Sequence, residues 1–270
     1  MTHDKTDHLG FAEIKRSIAL TPNGYIPAIT DNWRQGRTCY GGLTAALMYE
    51  TVQRQNEDLP PLRSALINFV GPVTNLPTLS STLERRGRNV VNISARTDIE
   101  QQTMARAGFL FGTIRQSEVH VDFPAPDAPN PDACEAFTPE AFKDMVPAFF
   151  HNFDTRLIAG ARPLMGEEGY IRTWSRHHDP DSRTGIGSLI CIADVLPPAA
   201  MPLMRRVAPV SSMSWISNIL SDAPETEDGW WQVESRLTAA RGGYSTQVMR
   251  MWNTKGELIV EGMQSIAIFG

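Results

Sequence analysis

From Leu258 to Phe269 the chain runs Leu-Ile-Val-Glu-Gly-Met-Gln-Ser-Ile-Ala-Ile-Phe, in which extended backbone sends alternate residues to opposite faces, so a strand is predicted. Strand-like segments also cover Ser211–Ile219, Trp230–Ala239 and Tyr244–Asn253, and Asn253-Thr254-Lys255-Gly256 reads as a hairpin turn between the last two. Ahead of them lies an apolar helical stretch, Ser188–Met204, broken or kinked near Pro197-Pro198. The same order occurs earlier. Gly41–Val52 lacks proline and is rich in helix formers, and strand-like segments follow at Ser64–Val70, Thr78–Arg85, Asn89–Asp98 and Thr103–Ile114. Glycine turns punctuate both sets alike, Arg86-Gly87-Arg88 in one and Arg241-Gly242-Gly243 in the other. One helix followed by several antiparallel strands, stated twice, predicts a sheet wrapped around a helix in each half.

Between the two sets, Phe123-Pro124-Ala125-Pro126-Asp127-Ala128-Pro129-Asn130-Pro131-Asp132 places four prolines in eight residues, which predicts an extended connector. The chain therefore divides into a first unit at 1–115, a linker at 116–137 and a second unit at 138–270, each unit near the size of a small domain.

Composition narrows the function classes. Thirty acidic against 25 basic residues among 270 give a net charge of −5, which argues against nucleic acid or an anionic membrane as a partner. The first residues, Met1 to His8, are polar with no apolar core behind them, and no apolar run approaches the length of a membrane span. Cys39, Cys134 and Cys191 are odd in number and far apart, unlike a disulfide framework or a zinc site. A reduced, cytoplasmic protein is expected. Cys191, within Leu189-Ile190-Cys191-Ile192-Ala193, reads as a small buried hydrophobe.

Three polar features interrupt apolar faces. Gln264 shares its strand face with Leu258, Val260, Gly262, Ile266 and Ile268, where an unpaired amide would cost roughly 1–3 kcal/mol. Gly262 beside it leaves room for a ligand or a backbone. Asp194, in a stretch too apolar for a surface helix, either protonates or accepts charge-assisted hydrogen bonds; the plainer alternative is a wet face or a cap near Pro197. Ser211-Ser212-Met213-Ser214 opens the following strand with three hydroxyls, as strand-edge solvation or as part of a polar cluster. Together Asp, Ser and Gln can hold a water.

This order of features resembles the acyl-CoA thioesterase II type of double hot-dog protein. The stretches that carry the likeness are Trp33 through Tyr40-Gly41-Gly42, Asn68-Phe69-Val70-Gly71-Pro72-Val73, Gly87-Arg88-Asn89-Val90, Ala193-Asp194 and Val260-Glu261-Gly262-Met263-Gln264. The resemblance implies an α+β fold of two tandem hot-dog units. It also implies an Asp–Thr/Ser–Gln group that sets a water against a thioester. On this chain the group maps to Asp194, Ser212 and Gln264, with Ser211 or Ser214 as alternatives for the hydroxyl. Ser214 stands where an aspartate is common in the family, a departure from its pattern. In the first half Leu47 or Ala46 would stand opposite Asp194, and Phe109 near the place of Gln264, leaving one active site per chain, in the second half.

Under this reading the substrate is an acyl-CoA, no cofactor is needed, and the assembly is a homo-oligomer. Arg85, Arg86 and Arg88, and then Arg241, are candidates for the phosphates of coenzyme A. The oxyanion would fall to backbone N–H groups where a helix begins. His177-His178-Asp179 is a poor metal motif, because neighbouring residues on a strand face opposite ways. The six histidines (His3, His8, His120, His151, His177, His178) avoid both predicted helices, which argues against a hot-dog dehydratase. Glu50 as a general base is a further alternative, with a plainer reading as a helix-surface glutamate. The rival from another class is a hot-dog protein that binds acyl-CoA or another apolar ligand without cleaving it.

Overall fold

The computed structural model describes residues 8–269, so His3 and the rest of residues 1–7 lie outside it. The elements in chain order are α1 (Phe11–Ser17), β1 (Ala19–Thr21), β2 (Gly24–Ile26), β3 (Arg34–Gln35), β4 (Thr38–Cys39), α2 (Gly41–Gln55), β5 (Leu62–Phe69), β6 (Thr78–Arg86), β7 (Val90–Ile99) and β8 (Gln102–Gly112). Then follow β9 (Phe153–Gly160), β10 (Tyr170–His177), α3 (Ile186–Ala193), β11 (Val210–Ile219), β12 (Trp231–Arg241), β13 (Tyr244–Trp252) and β14 (Leu258–Ile268).

Twelve strands form one antiparallel sheet in the order β1-β2-β6-β7-β8-β5-β11-β14-β13-β12-β10-β9. In each half the first strand after the helix pairs with the last, β5 with β8 and β11 with β14. The halves join where β5 meets β11, from Ser214 opposite Asn68 to Asn218 opposite Ser64. This is the double hot-dog architecture, two sheets fused edge to edge. Both glycine turns fall where expected, and Gly242 and Gly243 take positive φ (59° and 82°), the geometry of a tight hairpin.

Helix α2 is buried from Gly42 to Val52, all round rather than along one stripe, because sheet and α3 enclose it. It ends at Asn56, whose backbone N–H and side-chain Nδ2 both donate to the Val52 carbonyl, before Pro60 and Pro61 forbid continuation. Helix α3 is shorter than the predicted Ser188–Met204. It starts at Ile186 after Gly185 (φ 92°) and stops with Asp194 as its C-cap, three residues before Pro197. The proline pair ends the helix rather than kinking it; only a short 3-10 turn, Met201–Leu203, follows.

The proline-rich connector runs extended over the outer face of the second half. Its carbonyls have no ladder partners, so side-chain donors of the sheet take them. Trp252 Nε1 donates to Phe123 O (2.9 Å), Arg172 to Pro126 O (3.2 Å) and Asp127 O (2.7 Å), and Trp174 Nε1 to Pro129 O (2.8 Å). No helix among the described residues is long and apolar enough to cross a membrane.

Candidate active site

The N-terminus of α2 meets the C-terminus of α3, and two glycines permit it. A Cβ on Gly42 would lie 2.4 Å from the Cys191 carbonyl oxygen and 2.6 Å from the Tyr40 ring and hydroxyl. A Cβ on Gly41 would lie 2.8 Å from Asp194 Oδ2. The Tyr40 hydroxyl donates to the Cys191 carbonyl (2.8 Å), satisfying one of the acceptors that a helix C-terminus leaves free.

Asp194 hangs from this junction with partial solvent access. Burial of its carboxyl pushes the pKa up to about 7; donors from Gln264 Nε2 and from the Gly42 backbone N–H pull the other way. The N-terminus of α2 adds its positive end to the same carboxylate. Gln264, 3% exposed on the inner face of β14, donates from Nε2 to Asp194 Oδ1 (2.9 Å) and to Ser212 Oγ (2.9 Å). Gly262 on the same face is met by a backbone rather than a ligand, since a Cβ there would lie 1.9 Å from the Ile216 carbonyl.

Ser212 is the hydroxyl the structure brings to the group. A β-bulge between Ser212 and Ser214 shifts the β11–β14 register, with Ser212 opposite Ile266 but Ser214 opposite Ser265. The extra residue, Met213, changes the strand's parity, so Ser212 points inward like the buried Trp215, Ser217 and Ile219. Ser211 is exposed, and Ser214 pairs instead across the central seam with Asn68.

One residue of this cluster escaped the sequence reading. Gln247 of β13, fully buried, stands directly opposite Gln264 and donates from Nε2 to Gln264 Oε1 (2.9 Å), while its Oε1 accepts from the Ala199 backbone N–H (2.7 Å). Its signal was available: Gln247 alternates with buried Met249 and Met251, the pattern that marks Gln264.

The corresponding place in the first half is apolar. Tyr49 stands as far along α2 from Gly42 as Asp194 stands from Gly187, so Tyr49, not Leu47 or Ala46, is the counterpart of Asp194. Phe109 occupies the place of Gln264 and meets Tyr49 edge on (5.9 Å between centroids), and Ile93 opposite Phe109 replaces Gln247. Glu50 is not on the surface. It is 3% exposed, abuts Gly187 at the start of α3, and is paired with Lys15 (3.0 Å) and Arg54 (3.6 Å), an anion held by two cations rather than a free base.

Arg85, Arg86 and Arg88 do not join the cluster. The register path from Ser214 through Asn68, Arg106 and Arg96 reaches β6 at Ser80. From there the exposed Arg85–Arg88 turn lies about 20 Å farther along the strand at ~3.3 Å per residue. Arg241 lies exposed at the β12–β13 turn. His177 is buried between Phe11 and Phe153, with Nε2 on the Ser188 carbonyl (3.1 Å), and burial lowers its pKa to about 4. His151 lies in a short 3-10 turn, Ala148–Asn152, the one described histidine inside a helical segment. Cys191 is fully buried and its thiol is pushed well up, an inert packing group.

Two family descriptions match the chain: the acyl-CoA thioesterase N-terminal domain over residues 29–112 and the acyl-CoA thioesterase C-terminal domain over residues 127–268. No curated protein sequence matches significantly. Among solved structures, a hot-dog protein of unknown function from Alicyclobacillus acidocaldarius is similar at a TM-score of 0.85 and 18% identity, covering 96% of this chain and 98% of its own. The tesB protein of Mycobacterium avium subs paratuberculosis is similar at 0.75 and 15%, with coverages of 97% and 100%. An acyl-CoA thioesterase II from Mycobacterium marinum is similar at 0.74 and 19%, with coverages of 97% and 99%. At these identities the structures speak for the fold.

Proposed function

Because this chain belongs to the acyl-CoA thioesterase family, we propose that it hydrolyses an acyl-CoA thioester with a water held by Asp194, Ser212 and Gln264. The observation that carries the reading is a single amide nitrogen, Gln264 Nε2, within 2.9 Å of both the Asp194 carboxylate and the Ser212 hydroxyl.

A water near this trio donates one proton to Asp194 and accepts a hydrogen bond from the Ser212 hydroxyl, while Gln264, both of its amide protons given to Asp194 and Ser212, holds those two in place. Its oxygen attacks the thioester carbon, the carbonyl π electrons move to oxygen, and the proton passes to Asp194. The tetrahedral oxyanion takes backbone N–H groups in the first turn of α2, where the first four donors of a helix lack intrahelical partners; the Tyr40 N–H is given to the Trp33 carbonyl and that of Gly42 to Asp194, which leaves Gly41 and Leu43. Collapse re-forms the carbonyl and breaks the C–S bond. The coenzyme A thiolate leaves readily, since a free thiol has a pKa near about 8.5. A carboxylate with a pKa of about 7 is a stronger base than an ordinary aspartate and is still half ionised at neutral pH. The site is composite: the second half supplies the carboxylate, hydroxyl and amide, and the first half supplies the helix end that faces them.

A thiol-release assay across short, medium, long and aromatic acyl-CoAs tests this. At least one series is cleaved by the wild type, and Gln264→Ala lowers its kcat by about 100-fold, because Asp194 and Ser212 lose the donor that positions them. Cleavage of none, with tight binding of one, would instead establish a carrier of acyl-CoA.

A further inference from the structure

We infer that Gln247 is a positioning residue for the reaction: anchored by the Ala199 backbone N–H, it sets which end of the Gln264 side-chain amide faces Asp194 and Ser212. The inference rests on the reading of Asp194 as the base and Gln264 as its donor.

A primary amide has two nearly isosteric ends, one donating and one accepting, and rotation by half a turn exchanges them. In Gln264 the difference decides the chemistry. With Nε2 toward Asp194 Oδ1 and Ser212 Oγ, two acceptors are satisfied. With the amide reversed, a carbonyl oxygen would face a carboxylate oxygen at the same 2.9 Å. The far end of the amide is held by Gln247, whose Nε2 lies 2.9 Å from Gln264 Oε1. Gln247 is itself an amide and could reverse, but its Oε1 accepts from Ala199 N–H at 2.7 Å, and a backbone N–H has no accepting end. Every donor in the chain Ala199, Gln247, Gln264, Asp194 therefore points the same way, and each bond polarises the next.

The anchor is placed by the sequence that stops α3. Asp194 caps the helix and Pro197-Pro198 fixes the turn of the next residues, which returns the Ala199 N–H to β13. Gln247 accordingly sits fully buried, with Ser235 Oγ as a second, longer contact of its Nε2 (3.4 Å). In the first half Ile93 and Phe109 replace the amide pair and Tyr49 replaces the carboxylate, so the relay and the base are lost together. Among the described residues the titratable groups facing Asp194 are Tyr40 and Cys191, both held neutral by burial. The remaining groups turned toward it, Gln264, Ser212 and the Gly42 N–H, are uncharged.

The test uses Gln247→Met, which removes both ends of the amide. Gln247→Glu serves as the second variant, because it keeps the acceptor for Ala199 and replaces the donor to Gln264. In each, kcat falls by about 10-fold with KM within about twofold, as for loss of one oriented hydrogen bond. In a Gln264→Ala background the Gln247 substitutions cost no further rate. The second readout needs no turnover: the Asp194 carboxyl carbon is titrated by 13C NMR, with Asp194→Asn for assignment. Its midpoint moves upward in both variants because the oriented donor is lost. An unmoved midpoint in both, or full additivity with Gln264→Ala, overturns the inference. A wild type that cleaves no acyl-CoA refutes the proposed function instead, and the titration still decides the role of Gln247.

Discussion

Gly42→Ala separates the packing account from generic helix propensity, because the two predict opposite signs. Alanine in place of glycine in a helix is worth up to about 1 kcal/mol of added stability. At Gly42, however, the new methyl would sit 2.4 Å from the Cys191 carbonyl oxygen and 2.6 Å from the Tyr40 ring and hydroxyl, which is itself bonded to that oxygen. Ordinary carbon–oxygen contact needs roughly 1 Å more, and the obstacle is backbone of α3 rather than a flexible side-chain end. Forcing a methyl into a packed core costs about 1–3 kcal/mol. Parting the two helix ends also strains the Tyr40–Cys191 hydrogen bond, worth about 1 kcal/mol. The net expectation is destabilisation by about 1–3 kcal/mol, read from urea denaturation midpoints at constant m-value. Gly108→Ala is the control, since nothing lies within 4 Å of the Cβ it would add; it should change stability by no more than about 0.5 kcal/mol. A Gly42→Ala protein as stable as wild type, or more so, would refute the close approach of α2 to α3.

Other outcomes follow from the same geometry. Ser212→Ala lowers kcat about 10-fold or more while Ser214→Ala changes it by less than about twofold, because only Ser212 is turned inward to the amide; steady-state kinetics with matched thermal melts check this. Asp194 is raised from 3.8 to about 7 in the folded state, so the native protein binds the extra proton between those values and loses stability as pH rises through that window. Asp194→Asn therefore raises Tm at pH 8, and the gain shrinks toward pH 5; a constant difference across that range would contradict the burial of the carboxyl. Arg172→Leu removes two donors to the connector and lowers stability by about 2 kcal/mol, with faster proteolysis within residues 123–130 as the direct readout.

The long strands were legible because their faces differ: β14 alternates cleanly, and the turns carry glycines that adopt positive φ. Strands β9 and β10 were not, because their buried inward positions include Thr155, Thr173 and Ser175, and polar residues on both faces erase the alternation. Helix α1 is too short to show a period. The identities of Asp194 and Gln264 could be read from polar groups on apolar faces, and the same rule would have found Gln247. The choice among three serines could not, since it depends on a bulge at Met213 that leaves no local mark. Nor could the composite nature of the site, which arises from Gly41 and Gly42 meeting residues about 150 positions later in the chain.

The most direct test of the central claim is the pH dependence of thiol release from a cleaved acyl-CoA by the wild type and by Asp194→Asn. If Asp194 is the base, wild-type kcat/KM rises about tenfold per pH unit on the acidic side and levels above a midpoint near 7. Asp194→Asn then loses about 1,000-fold or more in kcat, with the limb gone. Full turnover by Asp194→Asn, or an unchanged acidic limb in its profile, would contradict the account.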